Sequence, residues 1–214
     1  MAIKAVSRAT NEDNLLFFSS LLAEIEHFAF FGTLLGLVRD NKIIEWDDDV
    51  DIYVNSAARA DLLQVLQKAG LTVPLDVFPN TTPYLLQVQR TVRGEVGLVD
   101  FYFYDADADP DYIWEKWNFR ARPEKANAAI KIPKRNIFPI ERKFYQGIEV
   151  SMPGDAAQLC VFLYGKSWNK PMAKGTEYET IIVNNVPRVF VGKLGKIQRW
   201  FVKILGTFRI LKVG

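Results

Sequence analysis

The 214-residue chain carries 27 Lys and Arg against 25 Asp and Glu, a formal net charge of +2 that is too small to imply nucleic-acid binding. Its 49% hydrophobic and 24% charged residues are those of a folded soluble protein, long enough for one domain with a full core. A single cysteine, Cys160, excludes an internal disulfide framework, and a single histidine, His27, excludes His-rich zinc sites and most metalloprotease arrangements.

The N-terminus reaches polar and acidic residues before any apolar run forms, and no apolar stretch is long enough to span a bilayer. The expectation is therefore a reducing, cytoplasmic setting. Leu15, Leu16, Phe18, Leu21, Leu22 and Ile25 recur at helical spacing and predict a first amphipathic helix. "HFAFFG" reads as a short strand stopped by Gly32, and "TLLGLVRD" as a helical turn with Thr33 at its start. "VDIYV" is a strand by its β-branched and aromatic content, followed by a helix capped by Ser56 and ended by Gly70. "PYLLQVQRTV" and "VGLVDFYFYDA", separated by "RGE", predict a hairpin. "YIWEKWNF" reads as helical, "NIFPIERKFYQGIEVSMP" as extended pieces around a turn at Gln146-Gly147, and Asp155 to Tyr164 as a helix. The pattern is α+β, with a strand-built centre and helices beside it. Residues 1–190 form the main domain in this reading and residues 191–214 a basic amphipathic helix.

Four aspartates stand within five residues, Asp47 to Asp49 and Asp51, at the entrance of the "VDIYV" strand. In a strand, Asp47, Asp49 and Asp51 project one way while Asp48 and Val50 project the other. Such acids often only solvate a loop, but here the alternation runs into a buried-looking strand, where unpaired charge is costly. Three carboxylates on one face repel unless a cation sits among them. The one-three-five spacing also fits a calcium loop, which fails because Ile52 stands where glycine is needed and Ala58 where the bidentate glutamate is needed. Asp100 adds a further acid inside an otherwise apolar strand. Acids on two neighbouring strands can hold one or two Mg²⁺ ions with positions open to phosphates. Gly32 permits close backbone approach, Thr33 offers a hydroxyl at a helix N-terminus, and Arg39 lies one to two helical turns further on.

"GTLLGLVRDNKIIEWDDDVDI", "VDFYFYD" and "NIFPIERKFYQGIEVSMPGDAAQLCVFLYGKSWNKP" together resemble the LicD/fukutin family, with its GTLLGxVR, WDDDxDI, IFP, GIEV-P and YGxxW segments in order from about Phe30 to Pro171. Lys42, where glycine is usual, and Glu45, where proline is usual, depart from the pattern. The resemblance implies a nucleotidyltransferase-like mixed sheet flanked by helices. It also implies Mg²⁺-dependent (or Mn²⁺-dependent) transfer of a phosphorylated small alcohol, phosphocholine or an alditol phosphate, from a CDP-linked donor to a hydroxyl of a glycan or glycolipid. By motif position Asp49, Asp51 and Asp100 are the catalytic and metal-binding acids. Gly32, Thr33, Arg39, Trp46 and Asp47 fall on the substrate-binding segments. Two other readings remain at this stage: a nucleotidyltransferase that adds a nucleotide to a small molecule or nucleic acid, and a non-enzymatic glycan-binding protein.

His27 and Cys160 read as packing residues. Trp114, Trp117 and Trp168 read as core residues or as stacking platforms, and Lys131, Lys134 and Arg135 as an anion site or a solvated basic loop. In the tail, Leu194, Ile197, Phe201, Ile204, Leu205, Phe208 and Leu211 recur at helical spacing between Lys193, Lys196, Arg199 and Lys203. That stripe either packs on the domain or makes peripheral contact with an anionic membrane at its inner face.

Overall fold

The computed structural model describes residues 6–45, 47–77, 85–115 and 130–210, with side chains at 75, 77, 115 and 202–210 outside that description. Helix α1 (Arg8–Leu21) is capped by Ser7, whose side chain accepts from the Thr10 N–H. The Ser7 and Thr10 hydroxyls both donate to Glu95, which ties the start of α1 to the sheet. Strand β1 (His27–Ala29) follows, then α2 (Phe31–Asp40), β2 (Asp49–Asn55), a 3-10 turn at Ser56–Ala58 and α3 (Arg59–Lys68).

Helix α2 begins two residues earlier than the sequence predicts. The reason is tertiary: the Phe30 N–H donates to the Asp51 carbonyl at 3.1 Å, and the Phe30 carbonyl accepts from Leu34 at 2.9 Å. The turn before α3 is capped by Asn55, which accepts from the Ala57 N–H at 3.0 Å, so Ser56 is not the cap. Gly70 does close this segment, with φ +68°.

Strands β3 (Thr72–Val77), β4 (Leu85–Val92) and β5 (Glu95–Tyr104) complete a five-stranded mixed sheet of order β1-β2-β5-β4-β3. The β4–β5 hairpin turns through Arg93 and Gly94, both at positive φ as a two-residue loop demands. β3 escapes sequence reading because Pro74 interrupts its pattern, which a bulged edge strand tolerates. β2 pairs antiparallel with β1 and parallel with β5, so it is interior to the sheet and residues 50–54 are all buried.

The remainder consists of β6 (Tyr112–Glu115) with β7 (Ile130–Pro133), β8 (Ile140–Tyr145) with β9 (Ile148–Pro153), α4 (Ala156–Tyr164), β10 (Tyr178–Val183) with β11 (Val186–Val191), and α5 (Gly192–Ile210). β6 corrects the helical reading of "YIWE": Ile113 faces Ile132 across a strand pair, and the Lys131 ammonium lies 4.4 Å from the Trp114 ring centre. Residues 116–119 of that stretch lie outside the described residues. The turn at Gln146-Gly147 and a helix ending at Tyr164 are as the sequence predicts, and Asp155 proves to be the cap of α4.

One core runs through the molecule. α1 and its C-cap cover the sheet with Leu15, Phe18 and Leu22, and Phe28, Phe30, Tyr53 and Tyr104 form an aromatic cluster in which Tyr53 and Tyr104 stack at 5.7 Å. The result is the α+β arrangement expected, a mixed sheet flanked by helices.

Candidate functional site

The acids lie where α2, β2 and β5 meet. Parallel pairing sets Asp51 of β2 directly beside Asp100 of β5, and both are buried. Gln87, across from Asp100 on β4, donates its amide to Asp100 Oδ1 at 2.7 Å and orients that carboxylate. The Gly32 N–H donates to Asp51 Oδ2 at 3.1 Å, and the Asp51 N–H donates to the Thr33 hydroxyl at 2.9 Å. The first turn of α2 therefore clamps the Asp51 backbone and side chain together. Thr33 is fully buried and its hydroxyl is committed to the strand, so it positions Asp51 rather than standing open at a helix end.

Asp47 does not belong to the strand. β2 begins at Asp49, and a bend at Asp48 replaces the extended alternation. That bend gathers Asp47, Asp48 and Asp49, each with a carboxylate oxygen within 4.8 Å of the others, an arrangement able to hold a cation. Asp48 thus joins the acidic group instead of pointing away from it. The side chain of Asn11 on α1 donates to the Asp47 carbonyl at 3.0 Å, and Arg8 pairs with Glu45 at 3.0 Å, so α1 braces this loop. Glu45, one of the two departures from the family pattern, supplies that brace. Trp46 lies outside the described residues.

The electrostatics follow from this crowding. Burial raises Asp51 well above the usual carboxylate range, and the charges of Asp49, Asp100 and Asp47 raise it further. Burial and the neighbouring Asp48 push Asp47 up to about 6. Its Oδ2 is buried without a hydrogen-bond partner. A Cβ on Gly32 would lie 2.6 Å from that oxygen, so the absence of a side chain there lets the Asp47 carboxylate approach α2. Hard carboxylate oxygens, mutual repulsion and an orphaned buried oxygen fit a divalent cation.

Beside the acids opens a cavity of about 680 Å³. Phe31, Gly32, Leu35 and Arg39 of α2 form one wall, with Asp47, Asp51 and Tyr102 at the base. Leu163 and Tyr164 of α4 and residues 171–174, 177, 178 and 180 close the other side. Arg39 forks onto Asp40 Oδ2 at 2.9 and 2.6 Å, which fixes the guanidinium at the cavity wall. The Tyr164 phenol is raised well above its usual range by burial and then by Asp51, so it stays protonated. Residues 172–180 fall between the segment that carries the resemblance, which ends at Pro171, and the C-terminal helix, and no local pattern there announces a cavity wall.

Other candidates fall elsewhere. His27 is buried with Nδ1 at 2.8 Å from the Ile25 carbonyl and is held below its usual value by burial. Burial pushes Cys160 up to about 12. Trp114 donates to Asp109 at 3.2 Å, Lys131 lies over Tyr112 and Trp114, and Lys134 donates to the Ala106 carbonyl, so these residues knit the β6–β7 region together. Trp168 packs against the core beside Tyr164 and Tyr178. Trp117 lies outside the described residues.

The sequence profile of the LicD/FKTN/FKRP nucleotidyltransferase domain matches residues 24–155, which include every acid described above. Among solved structures, the chain is similar to the lincosamide antibiotic adenylyltransferase LnuA with lincomycin bound, at 15% identity and TM-score 0.48 over 69% of this chain and 83% of that one. It is also similar to ANT(2")-Ia in complex with adenylyl-2"-tobramycin, at 14% identity and TM-score 0.42 over 68% and 69%. No curated protein matches the chain in sequence.

Proposed function

Since the chain belongs to the LicD/FKTN/FKRP family and carries its nucleotidyltransferase domain, we propose that it transfers a phosphorylated small alcohol, phosphocholine or an alditol phosphate, from a CDP-linked donor to a hydroxyl of a cell-surface glycan or lipid-linked glycan precursor. The observation that supports this most is the buried pairing of Asp51 and Asp100 on adjacent parallel strands, with Asp51 lining a cavity large enough for a nucleotide.

In this reading the acceptor oxygen bonds to the phosphorus that carries the alcohol. The bond from that phosphorus to the bridging oxygen breaks, and CMP leaves. Asp100, oriented by Gln87, takes the acceptor proton or serves as a ligand. Asp49, Asp51 and Asp100 would hold Mg²⁺ or Mn²⁺, with Asp47 beside them, and the ion supplies charge neutralisation and in-line alignment of the phosphates. Gly32 and Thr33 keep the Asp51 carboxylate in place. Arg39 offers positive charge to donor phosphates at the cavity wall, and Tyr102, Tyr164 and Tyr178 present ring surface to the rest of the ligand.

The test is incubation of the purified protein and a glycan acceptor with Mg²⁺ and a panel of CDP-choline, CDP-ribitol, CDP-glycerol and ordinary NTPs, with released nucleotide identified by mass spectrometry. CMP from one CDP donor is expected. Pyrophosphate from an NTP, with no CMP from any CDP donor, would replace alcohol-phosphate transfer with nucleotidyl transfer.

A further inference from the structure

Helix α5 is amphipathic, and it is mounted with its apolar face outward. It packs on the β10–β11 hairpin through Gly195 and Arg199, one turn apart, the first buried and the second half-buried. A Cβ on Gly195 would lie 2.7 Å from the Phe190 carbonyl carbon, so the two backbones meet there with no side chain between them. Arg199 pairs with Glu179 of β10, and the Gly192 N–H donates to the Glu177 carbonyl at 2.8 Å. These contacts fix the rotation of the helix. On the opposite side Leu194, Ile197, Trp200 and Phe201 are 68%, 55%, 60% and 54% exposed. Four large apolar side chains on two turns constitute a patch that isolated surface residues do not explain.

We propose that this face docks on an anionic lipid surface. Charge selects that occupant. No Asp or Glu follows Glu179, while Arg188, Lys193, Lys196, Arg199, Lys203, Arg209 and Lys212 all do. Lys193 and Lys196 are exposed beside the apolar face. A helix that combines exposed apolar side chains with bases gains from both burial and lipid charge. A second copy of the chain would instead bring two identical positive helices together. No helix among the described residues is long and apolar enough to cross a membrane, so the contact is peripheral.

The mounting also locates the cavity. Tyr178 and Thr180 of β10 line it, and β10 carries α5 through Glu179. Docking therefore holds the hairpin that walls the cavity behind α5, one helix thickness, about 10 Å, from the lipid headgroups. That consequence, an acceptor presented from the lipid surface, rests on the transfer reading, whereas the docking does not.

Flotation of the full chain with vesicles of phosphatidylcholine, alone or mixed with phosphatidylglycerol, tests the proposal. The protein should float with the mixed vesicles, less so at high salt, and Trp emission should shift to the blue. Trp200→Phe should float without most of that shift. Ile197→Asp with Phe201→Asp should reduce the vesicle-bound fraction by about tenfold or more, while circular dichroism and CMP release on a soluble acceptor stay as in the parent. Failure of the parent to float would overturn the docking, as would flotation of the double variant equal to the parent's. A dimer in light scattering that the double variant dissolves would assign the face to a second copy. A protein that floats but releases no CMP from any donor keeps the docking and loses the transfer reading.

Discussion

Asp47→Asn isolates the electrostatic strain of the acidic cluster. In the metal-free protein Asp47 titrates at about 6, against an ordinary 3.8, because it is buried beside Asp48. The folded state therefore binds the Asp47 proton more tightly than the unfolded chain does. Between pH 3.8 and about 6 the folded protein holds more protons, so this group's contribution to stability falls as pH rises through that window. Above the window, the ionised group costs about 3 kcal/mol, and about 2 kcal/mol of that accumulates between pH 4.5 and 7.5. Asparagine keeps the shape but cannot ionise. Its orphaned amide has a penalty of its own, which is independent of pH and cancels in the comparison. Urea unfolding of parent and variant in EDTA, at pH 4.5 and 7.5, should show the variant gaining about 2 kcal/mol on the parent from the lower to the higher pH. Saturating Mg²⁺ should stabilise the parent at pH 7.5 and the variant less. An unchanged stability difference across the two pH values would refute the account of Asp47 as a buried, strained carboxylate.

Asp51→Asn and Asp100→Asn should each lower CMP release by at least about 100-fold at saturating Mg²⁺ while circular dichroism is unchanged; near-parental turnover in either would remove that acid from the machinery. Gly36→Ala should cost about 1–3 kcal/mol in urea unfolding, because the new Cβ would stand 2.6 Å from the Lys42 carbonyl oxygen and 3.0 Å from the Ile44 nitrogen, both backbone atoms. Gly32→Ala displaces only the Asp47 carboxylate, so its main effect should be a weaker Mg²⁺ response in thermal shift, and an unaltered response would dissociate Asp47 from the cation. CDP-linked donors should raise the melting temperature only with Mg²⁺ present. Tyr178→Ala should raise the donor KM more than it lowers kcat, and an effect confined to kcat would place Tyr178 nearer the reacting phosphorus than the cavity wall.

Much of this site is legible in the residues themselves. An acid inside an apolar strand is costly wherever the strand goes, which marks Asp51 and Asp100 without knowledge of their partners. Arg93-Gly94 fixes the β4–β5 hairpin because a two-residue loop needs positive φ, and Asp155 starts α4 through a bond three residues along the chain. Such features depend on neighbours in sequence. The register that sets Asp51 beside Asp100 joins strands with α3 and two further strands between them, and only sheet order decides it. The bend at Asp48 likewise arises where a loop held by Asn11 and Arg8 of α1 enters a strand pinned by α2, so the alternation that assigns Asp48 outward does not hold. Residues 171–180 become a cavity wall only because the chain returns over α2 and α4. For α5, periodicity identifies an apolar stripe but not what covers it. Gly195 and the Arg199–Glu179 pair decide that for its first turns, because close backbone approach and an ion pair seat the polar side of the helix and leave Leu194, Ile197 and Phe201 outside.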